Sequence, residues 1–508
     1  MDLKRGNRVF DAVEGWAHSE PQRPALTSPA SAFTYGELAS KVADVERALV
    51  HAGVDATTPV GVLCENCAEL VLLYYAIGKL GGTFVPINPS LSFTEVAYII
   101  ENAELRVLFH DVRMEPVATA AHAMRSSTQL VSLAEFFGAD PKKIAPNLET
   151  SETQANDNFL IIYTSGSTGT PKAVLFDQGA EVAGNASLIE MWGMGPRDVT
   201  VVALPLGFLY GLSTATATAL QAGGEVVVLS RFHPREVLEA FVERKATVFQ
   251  GVPTMFAMML EYAEQNGISM DLSSMRLLIS AGAPLSQELR LRFEARFQKR
   301  IDDYYALTEV RPVFGRHWGD EASMPSTAIG RAAPGAVIKI LDTDGREAAP
   351  GRTGELFVRA PSTLRSYWKN ERLSQEVFVD GLFRTGDIGY CDHQGFYHLT
   401  GRIKDIIIRG GANIAPAEVE AVVESHPAIR GAAVIGVPDE KFGEIVVAFF
   451  VSRADDTPDA KQLNVHCRGS LAEFKVPQHF LPVREFPLGI TGKVDKKALL
   501  RQWMEMQA

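Results

Sequence analysis

Residues 159–172 read Phe159-Leu160-Ile161-Ile162-Tyr163-Thr164-Ser165-Gly166-Ser167-Thr168-Gly169-Thr170-Pro171-Lys172, and the change of character within this stretch decides the architecture. Phe159–Thr164 is a short apolar, β-branched run, the pattern of a buried strand. It passes directly into hydroxyls and glycines closed by a lysine. The two glycines permit backbone angles that aim successive N–H groups into one concavity. Ser165, Ser167, Thr168, Thr170 and Lys172 add further donors, which together suit a polyphosphate. A Walker-type loop needs glycine immediately before its lysine. Pro171 stands there instead, so this is a phosphate loop of another kind.

On either side, from about Leu26 to Phe297, β-branched runs alternate with amphipathic stretches. Glu225–Leu229, Thr247–Gln250 and Arg276–Ser280 are predicted strands. Pro234–Lys245, Thr254–Glu264 and Ser286–Phe297 are predicted helices, the first with Val237, Leu238, Phe241 and Val242 on one face and Pro234 in its first turn. That order predicts parallel sheets with crossover helices and ligands beyond the carboxyl ends of the strands. The stretch 141–158 is polar and turn-rich and reads as a surface linker.

Further on, Gly335–Leu341, Gly354–Arg359 and Phe396–Thr400 are short strands separated by turns such as Asp344-Gly345 and Asp380-Gly381. After Gly401-Arg402-Ile403-Lys404-Asp405 an α+β unit is predicted, with helices Ala417–Ser425 and Lys461–Glu473 and strands Ala432–Val437 and Ile445–Val451. The expected fold class is α/β. A large N-terminal lobe, residues 1–403, holds two parallel-type α/β subdomains and a small β-rich one, and a small mobile α+β lobe follows over 404–508.

Composition narrows the function classes. With 46% apolar and 22% charged residues, the 508-residue chain is globular rather than disordered. Its net charge is −12, which makes nucleic acid a poor partner, and any phosphate must be held by local geometry. From Lys404 onward 13 Lys/Arg face 14 Asp/Glu, so that part carries −1 and the remainder −11. Met1–Glu14 has no apolar signal region, and the run Leu70–Ile77 is interrupted by Lys79 and Gly81-Gly82, so a cytoplasmic protein without a membrane anchor is expected. Four cysteines make no disulfide framework. Cys64 and Cys67 form a C-x-x-C that reads as core packing, with redox sensitivity the other reading.

The stretch YTSGSTGTPKAV resembles the signature of the adenylate-forming (ANL) enzymes, which include acyl- and aryl-CoA synthetases. Other motifs follow in the family's order: FTYGEL at 33–38, KLGGTFVPINP at 79–89, Tyr305-Ala306-Leu307-Thr308-Glu309, Arg384-Thr385-Gly386-Asp387, GRIKDIIIRGGANIAPAEVE at 401–420 and Thr491-Gly492-Lys493. The resemblance implies attack of a carboxylate on the α-phosphate of ATP, with Mg²⁺, followed by transfer of the acyl group to the thiol of coenzyme A. Two anions must meet, so charge neutralisation and positioning carry the catalysis.

Residue by residue, the resemblance implies that Lys493, Glu309, Thr308, Thr164 and Lys172 are catalytic, with Glu309 the Mg²⁺ ligand. ATP or AMP would meet Thr164, Ser165, Gly166, Ser167, Thr168, Gly169 and Lys172, the turn Gly282-Ala283-Pro284, Tyr305 against adenine, Thr308, and Asp387 with Arg402 at the ribose. Lys404 is the expected hinge, and Gly410, Gly411 and Ala412 would leave room for the pantetheine arm. Phe208, Val252, Ala281, Ala306 and Val310 are the expected acyl pocket, mostly apolar, which favours a fatty, alicyclic or aromatic acid.

The chain departs from the family's pattern in places. Gly207-Phe208 replaces the usual Phe-His pair, which makes Phe208 the expected aromatic gate, and Ala306 and Ser366 stand where glycines are usual. Residues 204–213 contain no acid to pair with an α-ammonium, which disfavours amino acids. Arg311 is either a reader of a second carboxylate or an arginine solvated or paired on the rim. The reading is an acid–CoA ligase with a small-molecule carboxylic acid as partner. Its rivals are loading of a carrier-protein phosphopantetheine and nucleotide binding without catalysis. Oligomeric state is not encoded legibly.

Overall fold

The computed structural model describes residues 8–124, 128–139, 154–164, 171–320, 324–453, 457–488 and 494–507. The expected linker 141–158 therefore lies largely outside the described residues, as do Ser165–Thr170 and Lys493.

By its internal contacts the chain divides into two compact units, residues 1–323, 329–337 and 358–383 in one, and 324–328, 338–357 and 384–508 in the other. The first holds two large sheets. One places Asp302–Tyr305, Leu277–Ser280, Val248–Gly251, Val199–Val202, Glu225–Val228 and Pro24–Thr27 side by side in parallel, with antiparallel strands at both margins. These strands are short and carry Val, Leu and Ile buried on both faces, which only a sheet covered by helices accommodates. The helices Pro234–Glu243, Pro253–Gln265 and Gln287–Phe297 cover one face, where Phe241, Phe249, Phe256 and Phe293 pack edge to face in a single cluster.

The second sheet runs Ser366–Tyr367, Lys172–Asp177, Asn158–Thr164, Thr83–Ile87, Pro59–Leu63, Val107–His110, Gln129–Ser132. Its last five strands are parallel. Lys172–Asp177, however, returns antiparallel to Asn158–Thr164, with Thr164 opposite Lys172. The expected phosphate loop thus lies in sequence between two antiparallel strands, not between a strand and a helix.

In the other unit, Val337–Leu341, Gly354–Arg359 and Leu382–Cys391 lie in sequence order in one sheet, and Tyr397–Arg402 pairs antiparallel with Leu382–Cys391. The α+β part builds a sheet from Ile407–Arg409, Ala412–Ile414, Ile429–Asp439, Gly443–Ser452 and His479–Pro482, packed on helices Pro416–Glu424, Ala460–Arg468 and Lys496–Gln507. The predicted helix Lys461–Glu473 ends instead at Arg468. Gly469 caps it, and the Leu471 N–H turns back to the Cys467 carbonyl. Among the described residues no helix is long and apolar enough to cross a membrane.

Candidate active site

The site grows from the hairpin. Because Lys172 opens the returning strand, the ladder fixes its backbone opposite Thr164, and Nζ sits 5.3 Å from the ring centroid of Tyr367. Tyr367 comes from Ser366–Tyr367, which adds an edge to the same sheet opposite Val174 and Leu175 and is held by Trp368 N–H to the Ala173 carbonyl and Arg365 N–H to the Leu175 carbonyl, each 2.8 Å. The Tyr367 hydroxyl donates to Glu309 Oε1 at 2.9 Å, and Leu364 N–H donates to the Glu309 carbonyl at 2.7 Å. One edge strand thus ties the phosphate hairpin to the Y-A-L-T-E segment. Burial and the neighbouring Glu309 carboxylate push the Tyr367 phenol well above its ordinary value, so it stays a neutral donor.

Sequence reading singled out Lys172 and Glu309 and missed Tyr367. The available signal was the Ser366-Tyr367-Trp368 triplet, noted only for its missing glycine. Glu309 is partly exposed, and Oε2 has no hydrogen-bond partner among the described residues. A hard, anionic oxygen beside a loop for phosphates fits Mg²⁺, which takes one or two carboxylates plus substrate oxygens rather than an all-protein cage. Among the described residues no group of three or more His, Cys, Asp or Glu is gathered as a metal cluster. Thr308, next to Glu309 in sequence, and Thr164, paired with Lys172, are half-buried, and the Thr164 hydroxyl lies 3.5 Å from the Lys172 carbonyl.

The adenine and acid candidates lie at the carboxyl ends of the neighbouring parallel strands. Ser280 ends its strand opposite Asp303, so Gly282 turns away at the level of Tyr305, which closes the neighbouring strand and pairs with Phe314. Gly282 turns with φ of 87°, a left-handed angle suited to glycine, while the Ala281 N–H is held by the Gly251 carbonyl at 3.1 Å. Ala283 and Pro284 follow on the surface side. Tyr305 stacks on Phe314, with centroids 4.6 Å apart and planes at 22°, which fixes the plane of its ring.

Phe208, half-buried, precedes a π-helix over Tyr210–Ala217, a rare wide helix type frequent at functional sites. Asn66 clamps the approach: its amide donates to the carbonyls of Leu204 and Leu229, and its Oδ1 accepts from Leu206 N–H. A side chain at Gly207 would lie 2.7 Å from the Asn88 Cα, so the missing aromatic at this position has a steric cause. Val252 and Ala306 are half-buried, Ala281 is buried and Val310 shows no surface.

Arg311 requires correction. It is no rim residue: its side chain is 1% exposed and ion-paired at 2.5 Å with Glu181, which is itself fully buried.

In the second unit, Asp387 and Arg402 face each other across paired strands, Nε to Oδ1 at 2.6 Å, with the carboxylate buried and the Asp387 N–H on the Thr385 hydroxyl. Lys404 is exposed within the short 3-10 turn Ile403–Asp405. Gly410 and Gly411, with φ of 56° and 84°, form the two-residue turn between Ile407–Arg409 and Ala412–Ile414. Two successive positive φ values are what a twisted hairpin of this length demands, so these glycines have a structural reason independent of any ligand.

Comparison with known proteins adds the following. The family described as AMP-binding enzyme matches residues 13–368, and the AMP-binding enzyme C-terminal domain matches 418–493. An indoleacetate–CoA ligase of Aromatoleum aromaticum is 32% identical over 95% of this chain and 96% of its own length. A sulfoacetate–CoA ligase of Cupriavidus necator is 31% identical over 98% and 99%. The ATP-bound structure of MatB from Rhodopseudomonas palustris superposes with a TM-score of 0.90 at 28% identity, covering 99% of this chain and 100% of that one.

Proposed function

The chain belongs to the AMP-binding enzyme family, in its acyl- and aryl-CoA synthetase branch, and we propose that the Lys172–Tyr367–Glu309 cluster is the centre at which it adenylates a carboxylic acid. It is an ATP-dependent acid–CoA ligase that uses Mg²⁺ and coenzyme A. A carboxylate oxygen attacks the α-phosphorus, pyrophosphate leaves, and the CoA thiol then attacks the acyl carbon as AMP departs.

The observation that carries the reading is the bridge made by Tyr367, which brings one cation and one carboxylate together beside the hairpin loop. Glu309 would hold Mg²⁺, and the ion would neutralise phosphate charge during adenylation. Lys172 neutralises phosphate oxygens from the opposite side, and Thr164 and Thr308 offer hydroxyl donors. Residues 165–169, which lie outside the described residues, would supply hydroxyl and backbone donors to the phosphates. Tyr305, held by Phe314, stacks on adenine across from Gly282–Pro284, and Asp387 with Arg402 receives the ribose hydroxyls. Lys493 supplies the charge that stabilises the developing anion, and the residues beyond Lys404 turn about it to bring Gly410–Ala412 to the thiol path.

For the acid, relatives of nearly equal identity are named for indoleacetate and for sulfoacetate, so the reading rests on side-chain character instead. Phe208, Val252, Ala281, Ala306 and Val310 favour an apolar fatty, alicyclic or aromatic acid. Arg311, already neutralised by Glu181, is unavailable to a second carboxylate. A cytoplasmic setting accords with the sparse cysteine usage, four in 508 residues.

The test is AMP release by the purified protein with ATP, Mg²⁺, CoA and a panel of benzoates, cyclohexane acids, fatty acids and dicarboxylates. Release should require both acid and CoA and be fastest with an apolar monoacid. Pyrophosphate release without CoA-dependent turnover for every acid would instead favour a carrier-protein thiol as acceptor.

A further inference from the structure

The metal carboxylate and the acid gate are joined through the protein interior. Glu309 is followed by the strand Val310–Arg311, which pairs with Ser362–Thr363. Two residues past Glu309, Arg311 sends its guanidinium into the core. One nitrogen meets Glu181 Oε2 at 2.5 Å and also the Ser213 hydroxyl, and the other donates to Asn185 Oδ1 at 3.1 Å. Glu181 and Asn185 sit on the helix Gln178–Trp192, and Ser213 lies within the π-helix that follows Phe208. Tyr74 closes the set by donating to Glu181 Oε1 at 2.9 Å.

Stability alone does not account for this node. A fully buried ion pair gains by attraction about what it loses in desolvation, and apolar residues of similar volume serve as well or better. What a forked cation does give is direction, since its hydrogen bonds fix three elements at set angles. The packing leaves little slack: a methyl at Gly184 would come within 2.5 Å of Ser362 Cβ and 3.2 Å of an Arg311 nitrogen.

We propose that Arg311 is a positioning residue, which through Glu181, Asn185 and Ser213 sets the strand that follows Glu309 relative to the π-helix that follows the acid gate Phe208. Metal binding and acid binding are therefore coupled through one buried guanidinium. This inference rests on the reading of Glu309 as the Mg²⁺ ligand.

The test is acid-dependent ATP–pyrophosphate exchange, titrated with Mg²⁺ and with acid, in Glu181→Leu/Arg311→Met, Glu181→Gln and Glu309→Gln proteins. The double variant removes both charges and should melt close to the parent. Its exchange rate should nevertheless fall roughly 10–100-fold, with higher half-saturation for both Mg²⁺ and acid. Glu181→Gln keeps the volume and the acceptor and should shift both half-saturations in the same direction by about 3-fold. If the double variant folds and exchanges with parental rate and parental Mg²⁺ dependence, while Glu309→Gln is impaired, the proposal is wrong and the reading of Glu309 survives. A double variant that fails to fold leaves the decision to Glu181→Gln, for which parental half-saturations overturn the proposal. Parental Mg²⁺ dependence in Glu309→Gln overturns the metal reading itself and the coupling with it.

Discussion

The Tyr367 hydroxyl lies 2.9 Å from Glu309 Oε1 although 58 residues separate them, and the face of the same ring carries the Lys172 ammonium 5.3 Å from its centroid. One side chain therefore spaces the cation of the phosphate hairpin from the carboxylate assigned to the metal. Tyr367→Phe isolates the hydroxyl, because the phenyl ring still supports Lys172. A hydrogen bond to a charged group contributes about 1.5–3 kcal/mol, so adenylation should slow roughly 10-fold or more with a higher Mg²⁺ requirement. Since burial and Glu309 raise the phenol's pKa, the parent-to-variant rate ratio should stay flat from about pH 6 to about pH 9. Pyrophosphate exchange across that range measures it, and a ratio that collapses near pH 9 would contradict the assignment.

Lys493 should divide the two half-reactions. Lys493→Ala is expected to lower adenylation by roughly 10²–10³ while thioester formation from supplied acyl-AMP stays near parental. Single-turnover assays of each step decide this. Equal losses in both would mean that the lysine has another task.

Gly207 bears on the acid. Its backbone is pressed against that of Asn88, with a Cβ projected 2.7 Å from the Asn88 Cα, while Asn66 holds Leu204 and Leu206 beside it. The atoms such a Cβ would meet are backbone atoms of Asn88 and Ile87, which cannot yield by rotating a side chain. Gly207→Ala should destabilise the protein by about 1–3 kcal/mol and raise KM for the acid more than KM for ATP. Thermal melting with steady-state kinetics tests both parts, and an unchanged acid KM would detach this segment from substrate binding.

Glu424 sets a pH dependence in the second unit. Burial and the nearby Glu420 charge raise its carboxyl to about 7, against the opposing Ala432 N–H bond. The raised value means the folded state holds a proton that the unfolded state has lost between about pH 4.5 and 7. Stability should therefore fall as pH rises through that window and level off above it. Glu424→Gln removes the term, so the stability difference between variant and parent should shift by about 2 kcal/mol in the variant's favour from pH 5 to pH 8. Denaturant melts at both pH values would show a constant difference if this account were wrong.

Legibility in the sequence followed the range of the interaction. Strands such as Glu225–Val228 and Leu277–Ser280 were plain, because continuous β-branched runs have few other homes. Asp387 and Arg402 each stood within a recognisable motif, and only their pairing needed the fold. Tyr367 escaped because its role depends on an edge strand whose partner lies far away in sequence. Arg311 misled, since a charge near Glu309 looks like a rim residue until Glu181, 130 positions earlier, is placed against it. The π-helix at Tyr210–Ala217 leaves no periodic mark in so short a stretch.

The pairing of Thr164 with Lys172 sets the two strands in step. A slip of the returning strand by one place would turn Val174 and Phe176 toward the side now held by Ala173 and Leu175, and the buried alternation of these side chains resists it. An engineer seeking a different nucleotide or acid should therefore keep the two strands in step and leave their inward-facing residues untouched.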